Sequence, residues 1–224
     1  MDELRQELQR TADTLAAQMQ LRDPTIRQKV AILVSRDGAC LEDLLNRHRT
    51  GELACDVALV AGNLPDLEPV AAQAGVPFRY LPITPGDERA QEERLTELLE
   101  GSRVDLVVLA RYMKVLSPSF VERFDGRVIN IHHGFLPAFK GSRPYHQAWE
   151  AGVKIIGATA HFATAELDAG PIIAQDVMPV THQHTVEQMI RAGRDIERRV
   201  LARAVQAYLD HKIILHDRRT IIFH

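Results

Sequence analysis

Short apolar runs without polar alternation recur along the chain, each followed by a stretch whose apolar residues return at helical spacing. Val30-Ala31-Ile32-Leu33-Val34 is the first such run. It reads as a strand covered on both faces of a parallel sheet, because a strand with one wet face would alternate. A helix over 41–49 follows it. The pattern returns as strand 57–60, helix 68–74, strand 78–81 and a long helix over 88–100, a βαβαβ series. Residues 104–109 and 128–131 supply two more buried strands, and Ser117-Pro118 opens a short helix between them with a capping hydroxyl and a first-turn proline. Strands alternating with helices predict an α/β fold with a doubly wound, mainly parallel sheet.

The texture changes after Ile131. A loop with Gly134, Pro137, Gly141 and Pro144 leads to a helix, and then 155–162 and 172–180 read as paired strands, an antiparallel extension of the sheet toward the C-terminus. A helix over 185–209 and a short strand pair at 212–215 and 220–223 complete the chain. At the other end, Leu4, Leu8, Ala12, Leu15 and Met19 lie at helical spacing among charged residues. They predict one amphipathic helix over 2–20, ended by Asp23-Pro24.

Composition narrows the class. Of 224 residues, 46% are hydrophobic and 25% charged, the balance of a folded globular chain rather than a disordered one. A net charge of -3 offers no excess of positive charge for a phosphate backbone, so no nucleic-acid partner is expected. Cys40 and Cys55, the two cysteines, form neither a disulfide framework nor a metal-type spacing and read as buried small apolar residues of a reducing compartment. No apolar run approaches the roughly 18 residues of a membrane span, and the first residues lack a signal-type apolar core. The expectation is a cytoplasmic protein with no membrane partner.

Three residues carry candidate chemistry. Asn130 and His132 sit two apart at the carboxyl end of a predicted strand, so they project to the same side, where ligands bind in doubly wound sheets. Alone they could equally satisfy backbone groups. Asp168, in Leu167-Asp168-Ala169-Gly170-Pro171, is by residue type an ordinary turn former. Together, however, the three match acyl chemistry on a poor amine leaving group. Asn130 supplies a non-ionising donor for an oxyanion, His132 a proton shuttle, and Asp168 a carboxylate that orients the imidazole or holds the attacking water. His133, His161, His182 and His184 raise a zinc reading, but no paired spacing such as His-Glu-x-x-His is present. A metal-free site is favoured.

The run Asn130-Ile131-His132-His133-Gly134-Phe135-Leu136-Pro137-Ala138-Phe139, with Leu167-Asp168-Ala169-Gly170-Pro171-Ile172-Ile173 downstream, closely resembles the folate-dependent formyltransferase-fold family, and within it the formyltetrahydrofolate deformylases. The stretches 152–162, 193–197 and 200–205 strengthen the resemblance, which extends from Val30 to Phe223. It implies that Asn130, His132 and Asp168 are catalytic. It further implies that the segment Arg111-Tyr112-Met113-Lys114-Val115-Leu116 serves the folate pocket, with backbone groups around Lys114 to Leu116 holding the pterin, that Phe120 packs on it, and that Met113, Phe135, Gly141, His161 and Thr164 belong to the substrate pocket. His161 is equally readable as a hydrogen-bonder behind the catalytic residues. No cofactor beyond the folate substrate is implied, and a homo-oligomer is. The family usually carries an N-terminal amino-acid-binding regulatory domain. Residues 1–28 resemble its last helix and a linker, and 29–224 the catalytic domain. Gly134 stands where the family more often has serine, which is expected to alter the loop that shapes the pocket.

Hydrolysis of formyltetrahydrofolate to formate and tetrahydrofolate is therefore expected. The alternative within the fold is formyl transfer to an amine such as glycinamide ribonucleotide, which uses a glycine-rich first loop to cradle the acceptor's phosphate on backbone N–H groups. Here that loop reads Ser35-Arg36-Asp37-Gly38-Ala39-Cys40, and Asp37 is expected to repel a phosphate. A non-catalytic folate-binding protein is opposed by the intact triad, and a nicotinamide-binding dehydrogenase by the lack of a Gly-x-Gly-x-x-Gly fingerprint.

Overall fold

The apolar runs become strands β1 (Gln28–Val34), β2 (Cys55–Gly62), β3 (Phe78–Tyr80), β4 (Leu106–Leu109) and β5 (Val128–His132), all parallel to one another. β6 (Ile155–Phe162) and β7 (Ile172–Pro179) follow as antiparallel strands. In this computed structural model, which describes residues 2–17, 19, 23, 25–141 and 143–223, the seven strands form one sheet of order β3-β2-β1-β4-β5-β6-β7. The helices are α1 (Asp2–Thr14), α2 (Ala39–Arg49), α3 (Glu68–Gln73), α4 (Glu88–Gly101), α5 (Pro118–Arg123), α6 (Pro144–Glu150) and α7 (Val186–Leu209). A separate hairpin pairs β8 (Ile213–His216) with β9 (Arg219–Ile222).

The run 30–34 lacks polar residues because both faces of β1 are covered. Val30, Ile32 and Val34 pack with Leu41, Leu44 and Leu45 of α2 and with Ile196, Val200 and Leu201 of α7. Ala31 and Leu33 point the other way, into a cluster with Leu95 and Leu99 of α4 and Phe120 of α5. Successive side chains of a strand face opposite sides, so a strand between two helix layers must be apolar throughout. Among the described residues no helix is long and apolar enough to cross a membrane.

The N-terminal helix is shorter than the sequence spacing predicts. It ends at Thr14, where Ala16 takes a left-handed φ of 49° and the N–H groups of Ala17 and Ala16 donate to the carbonyls of Ala12 and Asp13 at 2.9 and 3.2 Å. This pair of bonds closes a helix end. Ala12 is buried, but Leu15 is 71% exposed, so a longer helix has nothing to bury against. The Leu4 side chain, residues 18 and 20, and Pro24 lie outside the described residues. β4 begins at Leu106 rather than 104, because Val104 still closes the turn out of α4 by donating to the Leu99 carbonyl at 3.1 Å.

Two features of this frame position the site. Strand order reverses between β1 and β4, which opens a crevice beyond their carboxyl ends. Helix α7, started by a capping box of Thr185 and Gln188, then lies across β5, β6 and β7 and against α2 and α6. Its close approach to α6 requires Gly193, where a Cβ would run into the Tyr145 hydroxyl. Alanine there would gain about 0.8–1.0 kcal/mol of helix propensity, but overpacking typically costs about 1–3 kcal/mol. Gly193→Ala is therefore expected to lower the unfolding free energy by about 1–2 kcal/mol, read from urea denaturation; a gain in stability would show that the α6–α7 contact is not tight.

Candidate active site

β5 carries Asn130 and His132 to its carboxyl end, as their spacing predicts, and β6 runs antiparallel beside it with Asn130 opposite His161 and His132 opposite Thr159. That register gives Asn130 its partner: the amide Nδ2 lies 3.2 Å from His161 Nε2. His161 Nδ1 lies 2.8 Å from the Phe162 carbonyl, which only a protonated Nδ1 can satisfy. The Nε2 lone pair therefore accepts from Asn130, and the second amide N–H of Asn130 is left to face the pocket. Burial, outweighing the Phe162 carbonyl and Asp168, holds the His161 pKa below its ordinary value, so the ring stays neutral in this role.

Asp168 arrives from the turn between β6 and β7. Its backbone is left-handed, with φ of 53°, and the turn closes tightly because a Cβ at Gly170 would overlap the Phe162 carbonyl oxygen. The carboxylate Oδ2 lies 3.3 Å from His132 Nδ1 and accepts from the Gly141 amide at 3.1 Å. Oδ1 faces His161 Nε2 at 3.8 Å, beyond hydrogen-bond reach. Burial pushes the Asp168 pKa up, but the His132 hydrogen bond, the Gly141 amide and His161 together outweigh it and hold the carboxyl below its ordinary range. It is a carboxylate at neutral pH. His132 Nε2 in turn lies 3.1 Å from the Phe139 carbonyl, so both ring nitrogens face acceptors.

The loop after β5 is pinned from beneath. Fully buried Thr159 donates to the Gly134 carbonyl at 2.9 Å and accepts from the Leu136 amide at 3.0 Å, while Gln175 of β7 donates to the Leu136 carbonyl at 2.9 Å. Gly134 has a local reason: a Cβ there would stand 2.9 Å from His132 Nε2 and 3.2 Å from Pro144. Across the pocket, the Met113 amide donates to Ser35 Oγ at 3.0 Å, which fixes the start of the 113–116 segment to the end of β1.

These residues enclose a pocket of about 260 Å³ lined by Asn130, His132, Asp168, Met113, Lys114, Val115, Leu116, Gly141, His161 and Thr164. A larger open groove of about 950 Å³ along α4 adjoins it through Tyr112 and Lys114 to Leu116. Two residues of the expected pocket do not line its 260 Å³. Phe120 is largely core, with its ring 4.9 Å from that of Phe124, and borders the adjoining groove along α4. Phe135 packs beside Gly157 on the far side of the 134–139 loop. Arg111, the first residue of the expected folate segment, lines the pocket, and so does His133, which the sequence did not place there. Strand alternation would aim His133 away from His132, but β5 ends at His132 and the two rings lie 5.5 Å apart. Burial, then the charges of Arg111 and His132, push the His133 pKa down to about 3, so this histidine carries no proton near neutrality.

Arg111 leads to a buried charge cluster. Its Nη1 lies 3.4 Å from Oε2 of Glu197, which is 1% exposed and accepts from the Tyr145 hydroxyl at 2.8 Å. Burial raises the Glu197 pKa against the pull of Arg111 and of that hydrogen bond. Asp37 is not the free carboxylate the loop sequence suggests: Arg194 Nε approaches it at 3.0 Å and Arg111 Nη2 at 4.0 Å. Both cysteines are buried, and burial beside Glu197 pushes the Cys40 thiol up. Among the described residues no three His, Cys, Asp or Glu side chains are grouped as metal ligands.

Known proteins share this sequence and fold. The Formyl transferase family model matches residues 28–205. The chain is 50% identical over 212 residues to a formyltetrahydrofolate deformylase of Synechocystis sp., covering 95% of this chain and 74% of that protein. It is 47% identical over 224 residues to that of Mycobacterium tuberculosis, covering 100% of this chain and 72% of the relative. In structure it is similar to a formyltetrahydrofolate deformylase from Pseudomonas syringae pv. tomato, with a TM-score of 0.96 and 41% identity over 100% of this chain and 75% of the other. Glycinamide ribonucleotide transformylase 1 from Symbiobacterium toebii shares the fold at a TM-score of 0.85 and 33% identity, over 92% of this chain and 98% of that one. The chain belongs to the formyl transferase family, and within it to the formyltetrahydrofolate deformylases.

Proposed function

We propose that this chain hydrolyses formyltetrahydrofolate to formate and tetrahydrofolate with Asn130, His132 and Asp168 as its catalytic residues. The observation that carries the reading is the convergence, in one pocket, of a free amide N–H of Asn130 with a carboxylate–imidazole pair. The names of the relatives support it independently.

A water held by the unengaged Oδ1 of Asp168 attacks the formyl carbon. The carbonyl oxygen becomes an oxyanion, which the second N–H of Asn130 meets; such donors act most strongly where water is excluded. The proton lost by the water passes to the His132–Asp168 pair. With one ring nitrogen facing Asp168 and the other the Phe139 carbonyl, a protonated His132 is held on both sides. Exchanging the Phe139 carbonyl for the folate nitrogen as the partner of Nε2–H, it returns the proton to that nitrogen as the C–N bond breaks. The folate itself lies along Met113 to Leu116, whose backbone Ser35 anchors. No group beyond the folate is needed.

His132→Ala and Asp168→Asn are each expected to lower turnover by about 100-fold or more while circular dichroism stays that of the parent protein, since a positioned proton transfer contributes about 10²–10⁴. Asn130→Ala should cost about 10²–10³ through the lost oxyanion donor. Near-normal turnover in any of the three would remove that residue from the mechanism. A further expectation separates hydrolase from transferase. Formate should be released with no amine present, and glycinamide ribonucleotide should neither accelerate turnover nor be formylated. Turnover that waits for the amine would make the chain a transferase.

A further inference from the structure

In a doubly wound sheet the crevice where strand order reverses ordinarily receives a ligand. Here the chain fills that crevice, between the loops leaving β1 and β4, with its own side chains. Asp37 comes from the first loop, Arg111 from the second, and Arg194 and Glu197 from α7, with Tyr145 of α6 hydrogen-bonded to Glu197. Asp37 Oδ1 also accepts from the Ala39 amide at 3.1 Å, so an internal carboxylate already sits at the first turn of α2.

Arg111 is only partly explained as the counter-charge of Glu197 and Asp37. Its φ of 63° lies in the left-handed region that favours glycine. Its Nε and Nη1 are buried and make no hydrogen bond, and the approach of Nη1 to Glu197 lacks hydrogen-bond geometry. Buried donors without partners cost stability rather than add it. What the residue does have is a location: it lines the catalytic pocket with His133 and reaches from there to Glu197, which does not line it.

We propose that Arg111 determines specificity for water: its guanidinium plugs the crevice through which an amine acceptor would reach the formyl carbon. The inference deepens the hydrolytic reading and rests on it. With the plug removed, an amine nitrogen attacks the formyl carbon, the bond from that carbon to the folate nitrogen breaks, and the amine's proton ends on the folate nitrogen. The products are a formamide and tetrahydrofolate, with no oxidant or reductant involved.

Arg111→Gly suits the left-handed backbone and opens the crevice, whereas Arg111→Met refills it without charge. Each is incubated with formyltetrahydrofolate and glycinamide, and formylglycinamide and formate are quantified by mass. The ratio of formylglycinamide to formate should rise about tenfold or more in Arg111→Gly and stay near the parent value in Arg111→Met, because discrimination is exerted by occupied volume. An unchanged ratio in a folded Arg111→Gly protein that still releases formate, loss of both products, or an equal rise in Arg111→Met would each overturn the plug. Should the orphaned Glu197 unfold Arg111→Gly, the double variant Arg111→Gly/Glu197→Gln removes that charge and is judged by the same ratio. Failure of the parent protein to release formate without amine would instead overturn the hydrolytic reading.

Discussion

Pairing β6 antiparallel to β5 is the constraint on which the site depends. A parallel neighbour brings only its own carboxyl end to that rim, as β4 does with Leu109 beside Asn130, and the chain must cross back before adding it. By turning antiparallel after β5, the chain sets His161 opposite Asn130 and Thr159 opposite His132. It then turns again within a few residues and drops Asp168 onto His132. The turn has little freedom, since Gly170 lies against the Phe162 carbonyl. One change of strand direction thus supplies the acceptor that orients the amide, the hydroxyl that pins the loop and the carboxylate that pairs with the imidazole.

The electrostatics follow from burial around these contacts. Histidines 133 and 161 are desolvated into neutral rings, whereas Asp168 keeps its charge because His132 and the Gly141 amide outweigh the cost of burial. The pocket therefore holds one carboxylate and two neutral imidazoles beside His132, together with an amide that cannot ionise. Next to it, two arginines and two carboxylates balance one another in the crevice where the strand order reverses. The same fold in the Symbiobacterium toebii protein bears the name of a transformylase.

Much of this frame is legible in the sequence because a strand covered on both faces leaves an uninterrupted apolar run, as at 30–34, whatever packs against it. Asn130 and His132 are legible for a similar reason, since their spacing fixes a shared side of a strand end. Asp168 is legible only through the turn motif around it. The rest depends on contacts between distant segments. Glu197 reads as one more charge on a long amphipathic helix yet is almost fully buried, because Arg111 and Tyr145 reach it from elsewhere in the chain. His133 is misread by alternation because the strand stops one residue earlier. Phe120 and Phe135 carry the apolar character a pterin would want, but Phe120 packs on Phe124 and meets only the adjoining groove, and Phe135 packs beside Gly157. The N-terminal helix is overestimated because helical spacing persists past Thr14, while the surface it would need for burial does not.

The central claim is that water, activated by the His132–Asp168 pair, is the nucleophile at the formyl carbon. Turnover of formyltetrahydrofolate in heavy-oxygen water, with no amine present, tests this most directly. The account predicts that the released formate carries one heavy oxygen from the solvent and that Asp168→Asn suppresses the labelled product along with turnover. Formate released without solvent oxygen, or no formate until an amine is added, would contradict it.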